Sequence, residues 1–531
     1  MKKYLIAFFL CFGIVSLSAQ KIYYVKQGGS GVKNGSSWQN ASDEIQEMIN
    51  IASSGDEIWV AEGIYRPTRR ADDLTTIPRV PSQDFAFVLK KDVKIYGGFK
   101  GNEDTTEFYR RNVNTNPTIL SGLLREYMVI GSFIFPEVRA YHVVVSSGDV
   151  GSAVLNGFTI EKGNANAGGG ITVNNQMIYK YQGGGIYLIN SSPDLKYLKI
   201  ISNYSEGDGG GIYIDNSYSF ITNTIISNNS VGGNTAKGGG IYCQSGKLTL
   251  TNVELRNNIS SQGGGLYIWT SNNVLTNVTI AGNTATSGGS GIYCDNPVSR
   301  TVKVRNSIIY GNTGSANTYG INVVNCEYSL INGLTTVGTN NNLAGTTNPI
   351  FQTNSYKIQT NSPCAKVGNL SYFNSGQIPD LSGITTELQG VPRIGDKMTV
   401  LGGGIVVFYD KVIDLGAYQV TFEMYNPIIN FPKSYNPDIN FGNELEAENK
   451  IELNIFPNPV NFNHPINISL GKYDKPVDVS MYSLDGKLIF HKTYERNNFE
   501  LNVPDLSSGM YMINIQTQEG ESFTKKIVVN K

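Results

Sequence analysis

Residues 238–258 read Gly-Gly-Gly-Ile-Tyr-Cys-Gln-Ser-Gly-Lys-Leu-Thr-Leu-Thr-Asn-Val-Glu-Leu-Arg-Asn-Asn and are one copy of a repeat that occupies the centre of the chain. In each copy a glycine-rich triplet and an aliphatic residue precede a tyrosine, and the tyrosines are spaced by 26, 29, 25 and 26 residues. An asparagine follows each of them, at Asn203, Asn229, Asn258, Asn283 and Asn312. A fixed period of this length predicts a repeat architecture, with one structural unit per copy.

Short β-branched runs lie between the glycine turns, and none of them carries a helical period, so the repeats predict strands without intervening helices. Parallel pairing of each copy with the next then requires one coil of chain per repeat. We therefore predict an all-β fold, a right-handed single-stranded parallel β-helix over about residues 56–340, with a small C-terminal β-sandwich. Strand alternation predicts three inner columns of side chains: Ile186, Ile212, Ile241, Leu266 and Ile292; Leu188, Ile214, Cys243, Ile268 and Cys294; Ile200, Ile226, Leu255, Ile280 and Ile309.

The remaining repeated positions are predicted to have three different roles. Cys243 and Cys294 lie two coils apart, about 9.6 Å at a coil spacing of about 4.8 Å, too far for a disulfide. The asparagines are predicted to form a ladder of amides at a turn. The tyrosines should point outward and stack, either only stiffening the sheet or also offering a platform for sugar rings. The candidate ligand contacts are Tyr187, Tyr213, Tyr242, Tyr267, Trp269 and Tyr293.

The two ends of the chain predict a domain order. Residues 1–19 read as a signal peptide, with Lys2 and Lys3 before an apolar stretch. A helix over 41–52, with Ser42 as N-cap, should cover the open end of the tube through Ile45, Met48, Ile49 and Ala52, and the run from Asp56 to Ala61 should be the first coil strand. We predict the β-helix over 20–423, a linker over 424–450 and the sandwich over 451–531.

Composition argues against several function classes. The formal net charge is -1, which indicates no partner among nucleic acids, and no other stretch approaches the length of a transmembrane helix. Four cysteines remain after the leader, too few and too scattered for a metal site, and the pairing of Cys326 and Cys364 stays open. His142 is the one histidine ahead of the C-terminal domain. We predict no metal, no cofactor and no catalytic residue.

Several motifs resemble known families. Gly35-Ser-Ser-Trp38, Gly55-Asp-Glu-Ile-Trp-Val-Ala-Glu-Gly-Ile-Tyr65 and Ile95-Tyr-Gly-Gly-Phe99 resemble the N-terminal cap of pectin-lyase-like β-helix proteins. The glycine repeats are similar to those of polymorphic outer-membrane-type β-helices. Asn348-Pro-Ile-Phe351, Ser362-Pro-Cys364 and Ile413-Asp-Leu-Gly-Ala-Tyr418 resemble the closing module called choice-of-anchor Q, although Ala365 and Lys366 depart from it. These resemblances imply a fold; the superfamily includes both enzymes and non-catalytic surface proteins.

The last eighty residues resemble the type A sorting domain of type IX secretion. The matching motifs are Ile455-Phe-Pro-Asn-Pro-Val460, Tyr482-Ser-Leu-Asp-Gly-Lys487, Leu506-Ser-Ser-Gly-Met-Tyr511 and Lys525-Lys-Ile-Val-Val529. The resemblance implies the type IX machinery as a partner, and a secreted protein or one on the outer surface of a Gram-negative cell.

Two functions remain open on the sequence. The first, which we favour, is a non-catalytic surface protein, adhesin-like or in contact with polysaccharide. The alternative is an extracellular polysaccharide lyase or glycoside hydrolase, which would need clustered carboxylates with a basic residue, or two carboxylates about 5–10 Å apart. In the repeats Asp215 and Asp295 are three coils apart, which is too far for a carboxylate pair. Glu254 and Arg256 have Thr279 and Ala281 at the matching positions of the next coil, so no cluster of acidic residues forms there. The long segments 66–82 and 122–142 hold further charged residues, namely Asp72, Asp73, Arg125, Glu126 and Arg139.

Overall fold

The computed structural model describes most of the chain in two compact units, residues 1–426 and 427–531. The described residues are 20–130, 133–269, 272–296, 301–334, 338–389, 394–400, 407–419, 454–456, 460–461, 466–470, 475–483, 488–495, 498–501, 509–518 and 522–530. The predicted signal peptide and the predicted linker lie outside them. The two units are described separately.

The first unit is a parallel β-helix, as the repeats predict. Among the residues that the structure describes, its main sheet has 22 strands, and every strand pairing within it is parallel. The strands of a coil lie on three faces of the tube, and a short fourth sheet of five strands completes the turns. Two strands are long enough to run along all three faces, Ile212–Ser227 and Ile241–Arg256.

The other strands of the tube each belong to one or two faces. The first face holds Phe87–Val88, Val144–Ser147, Ile186–Ile189, Leu266–Trp269, Ile292–Cys294 and Thr318–Tyr319. The second face holds Ile22–Val25, Glu57–Ala61, Lys94–Phe99, Val154–Asn156, Asp194–Lys196, Asn273–Ala281, Val302–Arg305 and Cys326–Glu327. The third face holds Gly63–Tyr65, Thr118–Ser121, Phe158–Glu161, Lys199–Ile201, the end of Asn273–Ala281, Ile308–Tyr310 and Leu330–Ile331. The short fourth sheet holds Asn164–Ala165, Tyr204–Ser205, Ser230–Val231, Ile259–Gln262 and Thr284–Gly288.

The interior of the tube confirms the predicted register. Ile186 pairs with Ile212, Ile212 with Ile241, Ile241 with Leu266 and Leu266 with Ile292. All fifteen residues of the three predicted columns lie in one buried core. Cys243, Cys294, Cys326 and Cys364 are buried and form no disulfide. The first two are therefore small core side chains as predicted, and the open pairing of the other two is resolved as no disulfide.

The asparagine ladder also has the predicted geometry. Asn229 Nδ2 donates to Asn258 Oδ1 at 3.0 Å, and Asn258 Nδ2 donates to Asn283 Oδ1 at 2.9 Å. Each amide also donates to a main-chain carbonyl, as Asn258 does to Ile226 O at 2.9 Å. All five predicted asparagines are buried. Asn229, Asn258 and Asn283 are each bonded to the copy on both sides, so the ladder links the turns of adjacent coils.

The N-terminal end of the tube is covered by a helix, which is shorter than predicted. It spans Ile45–Ile51 with Glu44 as N-cap, and Ser42 Oγ accepts from Glu44 N at 3.0 Å instead of capping the helix. Ile45, Met48, Ile49 and Ala52 all join the core of the tube. The first coil strand is Ile22–Val25, which pairs with Glu57–Ala61. The prediction that the strands start near residue 56 was wrong, since that run is the second strand of its face.

Several segments pack against the tube or leave it. Four antiparallel pairs are Leu123–Arg125 with Val138–Arg139, Met128–Ile130 with Phe133–Phe135, Gly170–Val173 with Gln176–Tyr179, and Gly395–Val400 with Val407–Val412. Short 3-10 helices occur at Trp38–Asn40, Phe108–Arg110, Val323–Asn325, Thr339–Asn341 and Leu370–Phe373. The described residues between 347 and 419, here called the closing segment, follow the last coil and contact the outside of the tube through Asn369, Thr386 and Asp414.

The second unit is a small sandwich of two sheets. One sheet pairs Asn454–Phe456, Ile466–Ser469 and Asn498–Leu501, and the other pairs Val460–Asn461, Ser522–Asn530, Gly509–Thr517, Val477–Ser483 and Leu488–Tyr494. Ile466, Ile468 and Leu501 of the first sheet share one buried core with Val479, Ile513 and Ile527 of the second. This unit therefore has a hydrophobic core of its own.

Candidate functional site

The predicted column of tyrosines lies outside the core of the tube and forms a continuous stack. Ring centroids are 4.7 Å apart between Tyr187 and Tyr213 and between 5.1 and 5.4 Å apart in the three following pairs, where the interplanar angles are 10° to 13°. The stack continues to Tyr319, whose ring lies 4.4 Å from that of Tyr293. Tyr319 was not predicted as part of the column, because no glycine triplet precedes it.

The ring faces of this stack are closed to ligands over most of its length. Tyr187, Tyr213, Tyr242 and Tyr267 are at most 4% exposed, because each ring covers the next. The hairpin Gly170–Val173 and Gln176–Tyr179, here called the covering hairpin, packs Ile171, Val173 and Ile178 into the same buried cluster. A sugar ring could reach the faces of these four tyrosines only by displacing a neighbouring ring.

Polar groups secure the hydroxyl ends of the stack. Gln244 donates to the Tyr213 hydroxyl at 2.8 Å and accepts from the Tyr242 hydroxyl at 2.9 Å, and Tyr267 donates to Asp295 at 3.0 Å. Burial is the main cause that raises the pKa of Tyr213, Tyr242 and Tyr267. These hydroxyls are neutral and have assigned partners: that of Tyr213 accepts a hydrogen bond, and those of Tyr242 and Tyr267 donate one. Exposed aromatic surface is left at Tyr319, at the far end of the stack, which is 50% exposed, and at Trp269, on the coil of Tyr267, which is 46% exposed.

A groove of about 490 Å³ lies on the second face of the tube. Its floor is made by three neighbouring strands, through Asp194 and Lys196, through Phe220 and Thr222, and through Lys247, Thr249 and Thr251. Its wall is the part of the closing segment from Ile378 to Ile384. Alternation on the strand explains the floor: Ile221 and Leu250 point into the core, so their neighbours point into the groove.

The wall is held in place by a second asparagine ladder, which the sequence analysis missed. Asn252 Nδ2 donates to Asn223 Oδ1 at 3.1 Å and to Thr386 O at 2.9 Å, and Asn223 Nδ2 donates to Glu387 O at 3.1 Å. Asn277 and Asn306 continue the column and donate to Asp414 O at 2.8 Å and Asn369 O at 3.0 Å. All four have φ between 48° and 54°, a left-handed conformation that asparagine tolerates. The spacings of 29, 25 and 29 residues were the available signal.

The groove combines an aromatic platform with balanced charge. Phe220 is 44% exposed on the floor, and Tyr218, two residues earlier on the same face of the strand, is 61% exposed beside it. Four charged side chains line the groove: Asp194, Lys196, Lys247 and Asp380. Lys196 Nζ lies 2.8 Å from Asp194 Oδ2. The pKa of Asp380 is lowered by hydrogen bonds from the Ser382 hydroxyl and amide, so this carboxylate is ionised at neutral pH.

Glu254 and Arg256, which the sequence analysis considered as candidate catalytic residues, interact with partners outside the groove. Glu254 is buried under the closing segment, where it pairs with Arg256 at 2.5 Å and accepts from the Tyr418 hydroxyl at 2.6 Å. Burial is the largest influence on the pKa of Glu254 and raises it. We conclude that Glu254 fastens the closing segment through Tyr418, with Arg256 as its ion-pair partner.

The charged residues of the two long segments, 66–82 and 122–142, have partners within these segments. Asp72 pairs with Arg70 at 2.8 Å, and Glu126 lies 3.9 Å from Arg66. Hydrogen bonds from Thr75 and Thr76 lower the pKa of Asp73 to about 2. Within the described part of the chain, no three His, Cys, Asp or Glu side chains come together in an arrangement suited to a metal ion.

Comparison with known proteins identifies one part of the chain by its sequence. Residues 454–530 match the family model of the secretion system C-terminal sorting domain. No curated protein matches the chain. Among solved structures, the pectate lyase Pel9A is 13% identical, with a TM-score of 0.36, over 76% of this chain and 98% of that one. PorZ, a surface component of the type IX secretion system of Porphyromonas gingivalis, is 15% identical, with a TM-score of 0.14, over 15% of this chain and 11% of that one.

The matched residues include the strands of the sandwich unit. Among the residues that the structure describes, no helix is both long and apolar enough to span a membrane. The chain therefore carries a type IX secretion C-terminal sorting domain behind a parallel β-helix, and it is a secreted or cell-surface protein.

Proposed function

We propose that this protein is a non-catalytic surface protein that binds a glycan in the groove on the second face of its β-helix. The observation that carries the proposal is the exposed pair Tyr218 and Phe220, which lies at a groove lined by hydroxyl, amide and charged side chains. Sugar rings have apolar faces and polar rims, so an aromatic floor with polar surroundings complements them. Exposed aromatic area is costly on a secreted protein unless it serves a contact.

The charges of the groove favour an uncharged glycan. Its lining contains two carboxylates and two ammonium groups, and one of each is already paired across 2.8 Å. An acidic polysaccharide would instead need an excess of cationic groups to replace the hydration that its carboxylates lose. We therefore expect neutral oligosaccharides to bind better than uronate-containing ones.

The stack of tyrosines remains a second candidate contact surface at its exposed end. Tyr293, Tyr319 and Trp269 offer aromatic surface there, whereas Tyr187, Tyr213, Tyr242 and Tyr267 are covered. In this case the glycan would contact only the exposed end of the stack and not the covered rings. It predicts a small contact, of one or two sugar rings.

A glycan array with the purified exported protein, followed by calorimetry on the best ligand, tests both versions. Tyr218→Ser with Phe220→Ser should weaken binding at least about tenfold, equivalent to about 1.4 kcal/mol. The matched control, Trp269→Ser with Tyr319→Ser, removes two rings of similar exposure, 46% and 50%, from the other face and should leave the affinity unchanged. The opposite pattern would place binding at the end of the stack, and the absence of any ligand would contradict the proposal.

The enzymatic alternative rests on the same groove, because it brings Asp194 and Asp380 together with Lys196 and Lys247. The ionised state of Asp380 argues against it as a general acid, which has to carry a proton at the operating pH. An assay for unsaturated products from acidic polysaccharides, and for reducing ends from neutral ones, tests this alternative. Turnover that Asp380→Asn abolishes would establish an enzyme.

A further inference from the structure

The groove on the second face has a direction, because its wall runs along the axis of the tube. At one end of the wall, Ile378 O accepts from Arg305 Nη1 at 3.4 Å. Just beyond its other end, the hydroxyls of Thr386 and Tyr197 are 3.3 Å apart. The register between these two ends passes over five successive coils, through Lys196, Thr222, Thr251, Thr276 and Arg305. The wall therefore crosses four coil spacings, about 19 Å at about 4.8 Å each, instead of following one strand.

The same segment obstructs the direction along the strands. Directly after Thr222 in the chain, Asn223 donates to Glu387 O at 3.1 Å. On the next coil, Asn252 donates to Thr386 O at 2.9 Å. A ligand that followed either floor strand would run into this main chain, whereas the path from coil to coil runs beside the wall. An elongated ligand in the groove therefore lies parallel to the axis of the tube.

The floor of the groove presents a different group on each coil. Asp194, Phe220 and Thr249 occupy equivalent positions on three neighbouring strands, so the exposed ring of Phe220 has a polar coil on each side. Lys196 and Lys247 add an ammonium group to the two flanking coils. The pair of Lys196 with Asp194 uses one of three N–H donors and one of two carboxylate oxygens. Both flanking coils can therefore bond hydroxyl groups while a sugar ring lies on Phe220.

The spacing of the coils selects the shape of the glycan. Neighbouring coils lie about 4.8 Å apart, so a chain parallel to the axis meets an equivalent position at each such step. A 1,4-linked chain whose glycosidic bonds are both equatorial, as in β-1,4-linked glucose, mannose or xylose, is extended and advances by a similar distance per sugar. An α-1,4-linked glucose chain curls and advances less per sugar, so its rings leave the register of the coils.

We propose that the groove takes a linear neutral glycan with equatorial 1,4 linkages, whose chain runs parallel to the axis of the tube with one sugar on each coil. This rests on the glycan-binding function proposed above and adds the direction and the linkage of the ligand. The central sugar stacks on Phe220, and its two neighbours bond the polar groups of the flanking coils. Affinity should therefore increase with chain length until the coils of the floor are occupied.

Calorimetry on the full exported chain with defined oligosaccharides tests the linkage. The probes are β-1,4-linked gluco-, manno- and xylo-oligosaccharides of two to six sugars, with maltotetraose as the α-1,4-linked control. The best β-1,4 series should gain at least about tenfold in affinity from two to four sugars, and maltotetraose should bind at least about tenfold more weakly than its tetrasaccharide. Equal affinity for α and β chains, or no gain with length, would overturn this proposal. If Tyr218→Ser with Phe220→Ser still weakened binding in that case, the glycan-binding function would stand without it.

A pair of variants tests the direction of the chain. Lys196 lies one coil from Phe220 along the axis, whereas Asn216 lies four residues before Phe220 along the same strand and is exposed. Lys196→Met should weaken binding of the best tetrasaccharide at least about fivefold, and Asn216→Gly should change it less than about twofold. Glycine keeps the left-handed backbone at position 216, where φ is 44°. The reverse pattern would mean that the chain follows the strand and would overturn the proposal.

Discussion

The first and second faces of the tube both carry outward-pointing aromatic side chains, but the two sets differ in exposure. On the first face, four tyrosines are at most 4% exposed because they stack on one another beneath the covering hairpin. On the second face, Phe220 and Tyr218 are 44% and 61% exposed, and the closing segment stands beside them as a wall. Strand alternation determines only that a side chain points outward. The segments that pack on the tube decide whether it is buried or available.

The largest loss of stability is expected from substitutions of the buried tyrosines on the first face. Tyr242→Ser with Tyr267→Ser removes two buried rings from the middle of the stack, and loss of a buried aromatic side chain typically costs about 3–5 kcal/mol. We expect the free energy of unfolding to fall by at least about 4 kcal/mol in urea denaturation. Tyr218→Ser with Phe220→Ser is the matched control and should change it by about 1 kcal/mol or less. Equal losses for the two pairs would contradict the difference between the faces.

The covered end of the stack should respond to pH. His142 packs edge-on to Tyr187 with ring centroids 5.2 Å apart, and burial lowers its pKa to about 4. The unfolded chain binds a proton near the ordinary value of about 6.5 and the folded chain does not, so stability is lost as pH falls from about 6.5 to about 4. The loss attributable to His142 is about 3 kcal/mol. The free energy of unfolding of His142→Phe should depend less on pH in this window, and an unchanged slope would show that His142 does not cause it.

The wall of the groove should loosen when one amide of the second ladder is removed. Asn252→Gly keeps the left-handed backbone at φ 54° but loses the donor to Thr386 O and to Asn223 Oδ1. Loss of the donor to the buried Asn223 Oδ1 costs about 1–3 kcal/mol. We expect faster proteolysis within the closing segment and weaker glycan binding. Asn216→Gly, an exposed left-handed position at φ 44°, is the control. Equal proteolysis of the two variants would mean that the ladder does not hold the wall.

The smallest effect on the tube is expected from removing the sorting domain. The sandwich has its own core. Deletion of residues 451–531 should therefore change the free energy of unfolding of the β-helix by no more than about 0.5 kcal/mol. The same deletion should keep the protein from the cell surface, measured by surface protease accessibility against the full chain. Arrival of the truncated protein at the surface would contradict the role of the domain in export.

Much of the fold was predictable because a repeat imposes its own register. Spacings of 25 to 29 residues align Ile212 with Ile241 and Asn229 with Asn258, and strand alternation then assigns the inner columns. The prediction failed where the repeat is absent. The strand Ile22–Val25 has no glycine triplet, and the cap helix begins at Ile45 because Ser42 bonds the backbone outside it.

The amino-acid sequence by itself determined the tube, its inner columns, the asparagine ladder and the sorting domain, because these depend on local periodicity and on contacts between equivalent positions of neighbouring repeats. The tertiary structure alone decided which outward side chains form a site. Asn223 and Thr386 are 163 residues apart in the chain, and their contact brings the wall from Ile378 to Ile384 beside Phe220. No period connects those segments. Burial of the tyrosines and exposure of Phe220 therefore follow from long-range packing, which the repeat pattern does not encode.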